Sequence, residues 1–126
     1  MCVRTRMGPL LSDSNAARLA QLMDVASLKA RVHASNLANQ NTPGYKAREV
    51  AFDAAFQDAL AQGEDTSDIE PVIQEQAGFG TDNDGNTVST ERETLGQAQN
   101  QTLYNAYLAM MQGKKKLISI AITQSP

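Results

Sequence analysis

The side chains able to do chemistry are few and far apart. His33 is the single histidine and Cys2 the single cysteine among 126 residues. A metal centre or a proton-transfer site needs partners at a set spacing, and His33 has none in a recognisable pattern. It sits beside an apolar stripe, where a packed or solvent-edge histidine is the simpler reading. One cysteine cannot make an internal disulfide. The stretch with ligand-like spacing is Asp82-Asn83-Asp84-Gly85-Asn86. Counted from Asp82, Asp84, Asn86 and Glu93 fall at the third, fifth and twelfth places of a calcium loop, but the sixth place, which needs glycine, is Thr87. A turn leading into a helix is the better account, and Thr90 and Glu93 then have the spacing of a capping box. No catalytic, cofactor-binding or metal-binding residue is assigned. The chain reads as a non-enzyme with no small-molecule substrate.

The elements around these residues are helical. Apolar residues make up 41 % of the chain, aromatics only 5 %, and tryptophan is absent. Ala and Leu must therefore carry the packing, which suits long helices meeting along narrow seams. The formal net charge of −3 argues against nucleic acid as a partner. No run approaches the ~20 apolar residues of a membrane span, and Gly8-Pro9-Leu10-Leu11-Ser12-Asp13 is not the apolar centre of a cleaved signal peptide.

Residues 1–11 look irregular. Ser12 or Ser14 can cap a helix that runs to about residue 41, since no Pro or Gly interrupts it. Leu19, Leu22, Met23, Ala26, Ala30, His33 and Leu37 step by threes and fours along one stripe. Residues 46–50 are compatible with an extended segment. Phe52, Ala55, Phe56, Ala59 and Leu60 predict a short helix over about 51–61, stopped by Gly63. Residues 63–88 are turn-rich and polar, an irregular arm. From residue 90 to about 123 a second long helix is predicted. Leu103, Tyr107, Met110, Lys114, Leu117 and Ala121 follow the a/d spacing of a coiled-coil seam. Its last turns are apolar on more than one side, which calls for several neighbours. Gly96 and Gly113 each cost ~1 kcal/mol in a helix, and Gly113 is the expected point of close helix approach.

The hard stop of the first helix is the most specific feature. Asn36-Leu37-Ala38-Asn39-Gln40-Asn41-Thr42-Pro43-Gly44-Tyr45 ends a helix in a Pro-Gly turn. Pro43 disfavours helix at Thr42, and Gly44 suits the positive φ of a type II turn. Asn36 and Asn39 lie on roughly one face, where their amides can bond helix-end carbonyls or the turn backbone. This string resembles the N-terminal signature of bacterial flagellar axial proteins, the rod, hook and hook-associated subunits. Ser35 departs from the usual small Ala or Asn-like residue there. Asp84-Gly85-Asn86-Thr87-Val88, followed by Glu91-Arg92-Glu93, is similar to the stretch before the C-terminal helix of the small proximal rod subunits. The likeness covers roughly residues 14–60 and 82–123.

The resemblance implies a mainly α fold in one rod domain over residues 1–126. Two long terminal helices pair as an antiparallel coiled coil, joined through an arm over about 43–89. It implies a structural subunit that assembles helically into the basal-body rod, the drive shaft through the envelope. Its partners would be copies of itself, other rod subunits, and the junction with the membrane ring and export gate. It also implies a periplasmic location reached by type III export without a cleaved signal peptide. The seam expected to serve assembly is Leu19, Leu22, Met23, Ala26 and Leu37 with Leu103, Tyr107, Met110, Leu117 and Ala121. Another small rod subunit, or a helical-hairpin adaptor or chaperone, is the alternative.

Overall fold

The computed structural model describes residues 13–78 and 80–124. The expectations placed on Cys2, on the Ser12 cap and on residues 1–11 lie outside these residues. The elements in order are helix α1 (Asp13–Ala38), strand β1 (Arg48–Ala51), helix α2 (Asp53–Ala61), strand β2 (Val72–Glu75) and helix α3 (Thr90–Thr123). The chain is mainly helical, and its two long helices pack on each other. Pairs from Gln40–Thr90 through His33–Glu93 to Ala26–Asn100 set them antiparallel. At 34 residues against 26, α3 outruns α1.

Because α1 begins at Asp13, Ser14 lies inside it rather than at its cap. Its apolar stripe builds the core with α2. Val25, Phe52 and Phe56 are buried there, with Leu22, Val50 and Ile69 packed around them. The two Phe rings stack with centroids 5.2 Å apart. Three such side chains bury roughly 1.5–3 kcal/mol each, which is a small core for a chain of this length. Lys29 and Asp53, 2.7 Å apart, tie the start of α2 to α1.

Residues 72–75, within the stretch read as an irregular arm, form β2. It pairs antiparallel with β1 in the register Arg48–Glu75 to Ala51–Val72. Upstream, the Gln21 side-chain amide donates to the carbonyls of Thr66 and Ile69 at 2.8 and 3.0 Å. The arm is thus held against α1 through polar bonds, with Thr66 buried beneath them.

Candidate functional site: a polar clasp closing the hairpin

Where α1 ends and α3 begins, two stretches far apart in sequence are knotted together. The Thr42-Pro43-Gly44-Tyr45 turn closes through the Tyr45 amide donating to the Thr42 carbonyl at 3.2 Å. Gly44 takes φ +73°. The Asn39 side chain donates to the Ser35 carbonyl at 2.8 Å, a carbonyl that the Asn39 backbone amide also reaches at 3.1 Å. The Asp84–Val88 stretch docks directly on this turn. The Gly44 amide donates to the Asp84 carbonyl at 2.8 Å, and the Thr87 amide to the Tyr45 carbonyl at 3.0 Å. The buried Asn86 side chain donates to the carbonyls of Asn39 and Thr42, at 2.9 and 2.8 Å. Its oxygen accepts the Val88 amide at 2.8 Å. With the Asn86 side chain turned inward on these partners, the loop does not present the ligand set of a calcium site. Among the described residues no group of three or more His, Cys, Asp or Glu is placed to hold a metal.

Gly85 explains the tightness of the joint. It lies at φ +83°, and a Cβ there would stand 3.4 Å from the Gly44 Cα. Both glycines occupy the left-handed region that L side chains enter only at a cost. Gly44→Val is expected to lose ~1–2 kcal/mol from that conformation alone, read as a lower urea midpoint. An unchanged midpoint would mean the turn has another conformation.

A second polar cluster lies one turn further in. Asn36 has no exposed surface. Its amide donates to the Arg48 carbonyl at 2.8 Å, and its oxygen accepts the Arg48 amide at 3.0 Å and the Tyr45 hydroxyl at 3.3 Å. It therefore pairs with Arg48 as a neighbouring strand would, which anchors β1 to α1. Beside it, Glu93 is also fully buried. It does not reach back to complete a capping box, and the cap is Ser89, not Thr90, accepting from the Arg92 amide at 3.4 Å. Instead the Glu93 carboxylate accepts from His33 Nδ1 at 2.6 Å and from the Gln76 amide at 2.8 Å. Burial works to raise this carboxyl. Hydrogen bonds from His33, Asn36 and Gln76, with a smaller electrostatic contribution from His33, outweigh it and hold the group below its ordinary 4.5. One carboxylate thus joins α1, the arm after β2, and α3. An ionised carboxylate only accepts, so Nδ1 carries the proton. With both oxygens engaged and no exposed surface, the pair is built to hold helices together.

Close approach of the helices occurs at Gly96, not Gly113. A Cβ on Gly96 would lie 2.7 Å from His33 Cε1, whereas nothing lies within 4 Å of one on Gly113. Gly96→Ala must displace the ring that bonds Glu93, so the ~1 kcal/mol gained in helix propensity is outweighed by ~1–3 kcal/mol of overpacking. Gly113→Ala keeps the gain. Urea denaturation of the two variants should move in opposite directions, and a shared direction would refute the close packing at His33.

The predicted assembly seam divides in two. Leu22 and Ala26 are used inside the chain, Ala26 buried and Leu22 against the core, with Leu19, Met23 and Leu37 half-buried along α1. On α3 the stripe facing α1 runs Glu93, Gly96, Asn100, Tyr104, Tyr107, Met111 and Lys114. Leu103, Met110 and Leu117 look outward instead, 47 %, 58 % and 62 % exposed, and Ala121 is exposed with them. The intrachain seam of α3 is consequently polar at its inner end, with the Asn100 amide donating to the Ala26 carbonyl at 2.7 Å. The heptad leucines are left free.

No family model matches the chain. Individual relatives do. The chain is 32 % identical over 105 residues to the flagellar basal body rod protein FlgB of Aeromonas hydrophila, across 73 % of this chain and 80 % of that one. It is 29 % identical over 116 residues to FlgB of Bacillus subtilis strain 168, across 83 % and 90 %. With FlgB of Escherichia coli K12 it shares 25 % over 119 residues, across 76 % and 83 %. Matches that run through most of both chains, on a helical hairpin clasped by the two signature stretches, mean that this chain belongs to the family of the flagellar basal body rod protein FlgB.

Proposed function

We propose that the chain is a self-assembling structural subunit of the flagellar rod, packing helically with its own copies and with other axial proteins into the drive shaft. It works in the periplasmic part of the basal body, at the junction with the membrane ring and export gate, after type III export without a cleaved signal peptide. The observation that carries this reading is the outward apolar stripe Leu103, Met110, Leu117 on α3. Its members are seven apart, one side of a helix, and it flanks the face that packs on α1, with Leu103 at the edge of that contact and Met110 and Leu117 more exposed. A single helix partner leaves this stripe in water, whereas neighbours in a tube cover it. The polar clasp has a complementary duty, holding the angle between the helices so that every copy presents the same stripe. Fractionation of cells expressing a tagged chain is the test. Recovery in purified basal bodies is expected, and retention in the cytosol would favour an adaptor or chaperone.

A further inference from the structure

We propose that Asp84 is a site of spontaneous isoaspartate formation, held back by its docking on the Pro43-Gly44 turn and open to reaction whenever the clasp opens. The inference rests on the clasp and not on the rod reading. Asp84 is the one Asp or Asn in the chain that is followed by glycine. Glycine carries no side chain, so the amide nitrogen after Asp84 is unhindered. That nitrogen can attack the carboxyl carbon of the Asp84 side chain. A C–N bond forms, and one carboxyl oxygen leaves as water with the carboxyl proton and the amide proton. The product is a succinimide ring. Water then opens the ring at either carbonyl. Opening at the former side-chain carbonyl restores aspartate. Opening at the former main-chain carbonyl routes the main chain through Cβ and Cγ, which is isoaspartate. The sequence loses one water and regains one, with no oxidant or cofactor.

The folded chain opposes the attack at each reacting group. The nucleophile, the Gly85 amide, donates to the Asp82 carbonyl at 2.9 Å. An Asp84 carboxylate oxygen accepts the Asn86 amide at 3.1 Å. The Asp84 carbonyl accepts the Gly44 amide at 2.8 Å. Burial does not protect the site, because Asp84 itself is exposed. The protection comes from across the joint. Asn86 is buried with its amide on the carbonyls of Asn39 and Thr42, and Lys46 Nζ donates to the Gly85 carbonyl at 2.8 Å. Closing the ring swings the Gly85 nitrogen off Asp82 and onto the Asp84 side chain, which these contacts resist. The product cannot dock in the same way. It has one more main-chain carbon between Asp84 and Gly85, and the carbonyl that accepted from Gly44 has become a carboxylate off the main chain.

The test incubates the full-length chain at neutral pH, folded or in urea. Isoaspartate at residue 84 is read by peptide mapping, which separates the isoaspartyl peptide from its isomer of equal mass. The folded chain should react at least roughly tenfold more slowly, since the rate follows the fraction of chains whose joint is open. Gly44→Val leaves residues 82–86 as they are and strains only the opposite turn. It should bring the folded rate most of the way to the urea rate while circular dichroism still shows the helices. Lys46→Ala, at an exposed residue, removes only the bond to the Gly85 carbonyl and should give a smaller rise, which serves if Gly44→Val unfolds. Asp84→Asn reacts faster through the same ring, with loss of ammonia, and should show the same slowing on folding. The refolded isoaspartyl chain should have a lower urea midpoint than the aspartyl chain from the same incubation. Equal rates in the folded and urea-unfolded chains overturn the proposal. So do folded Gly44→Val and Lys46→Ala chains that react no faster, or an isoaspartyl chain with an unchanged midpoint.

Discussion

Glu93→Ala should cost about 1–3 kcal/mol for each donor that it leaves unpaired, because it removes a buried carboxylate that accepts from two side chains. His33 Nδ1 and the Gln76 side-chain amide would lose their acceptor at a part-buried joint between the helices. Glu93→Gln keeps the shape but sets an NH2 group against donors, so a loss of about 1–3 kcal/mol is expected. Acid sensitivity separates the carboxylate's charge from its packing. The folded chain holds Glu93 below 4.5, so the unfolded chain binds the proton at a higher pH than the folded one does. The contribution is intact above 4.5 and is lost as pH falls through the depressed value. Glu93→Gln should abolish that part of the acid dependence. The Asp65 carboxyl, lowered mainly by the Ser67 amide, titrates in both proteins, so the difference between their stability curves reports Glu93. Parallel curves from pH 6 down to the acid limit would mean that Glu93 is not held ionised by its neighbours.

The Pro-Gly stop, the long helices and the Phe pair were legible because each rests on local rules. Pro43 and Gly44 dictate a turn by their own backbone chemistry, and apolar steps of three and four mark a helix whatever surrounds it. The clasp was half legible. Both stretches stood out by composition, but nothing in either announces that Asn86 reaches the carbonyls of Asn39 and Thr42. The His33–Glu93 pair was not legible at all, because its partners are 60 positions apart. The local capping-box spacing even pointed Glu93 elsewhere. Gly96 was the available clue: a costly residue inside a helix signals a neighbour that comes too close for a Cβ. Strand β2 escaped for a related reason. Its four residues are all exposed, so it lacks the alternation that marks a half-buried strand, and it exists because β1 offers an edge to pair with.

Met110→Asp or Leu117→Asp should abolish rod assembly while leaving the monomer folded. In the free chain both side chains are more than half exposed, and neither touches the core of Val25, Phe52 and Phe56. The monomer's urea midpoint should therefore move by no more than surface substitutions usually do, within about 0.5 kcal/mol. In the assembly the loss is different. Each side chain that packs against a neighbour gives up roughly 1.5–3 kcal/mol of burial, and a carboxylate must also be desolvated without a partner. A helical polymer repeats the fault at every copy. Lys115→Gln, on an exposed residue, removes charge without burying one and should be mild. Complementation of a deletion strain reads the result as motility, with fractionation to follow the protein. The expected outcome for both Asp variants is a stable, exported chain and a non-motile cell. Normal motility would show that the outward stripe is not an assembly surface. Degradation in the cytoplasm would show that the stripe belongs to the monomer's own core, and the division of α3 into an inner polar seam and an outer apolar one would be wrong.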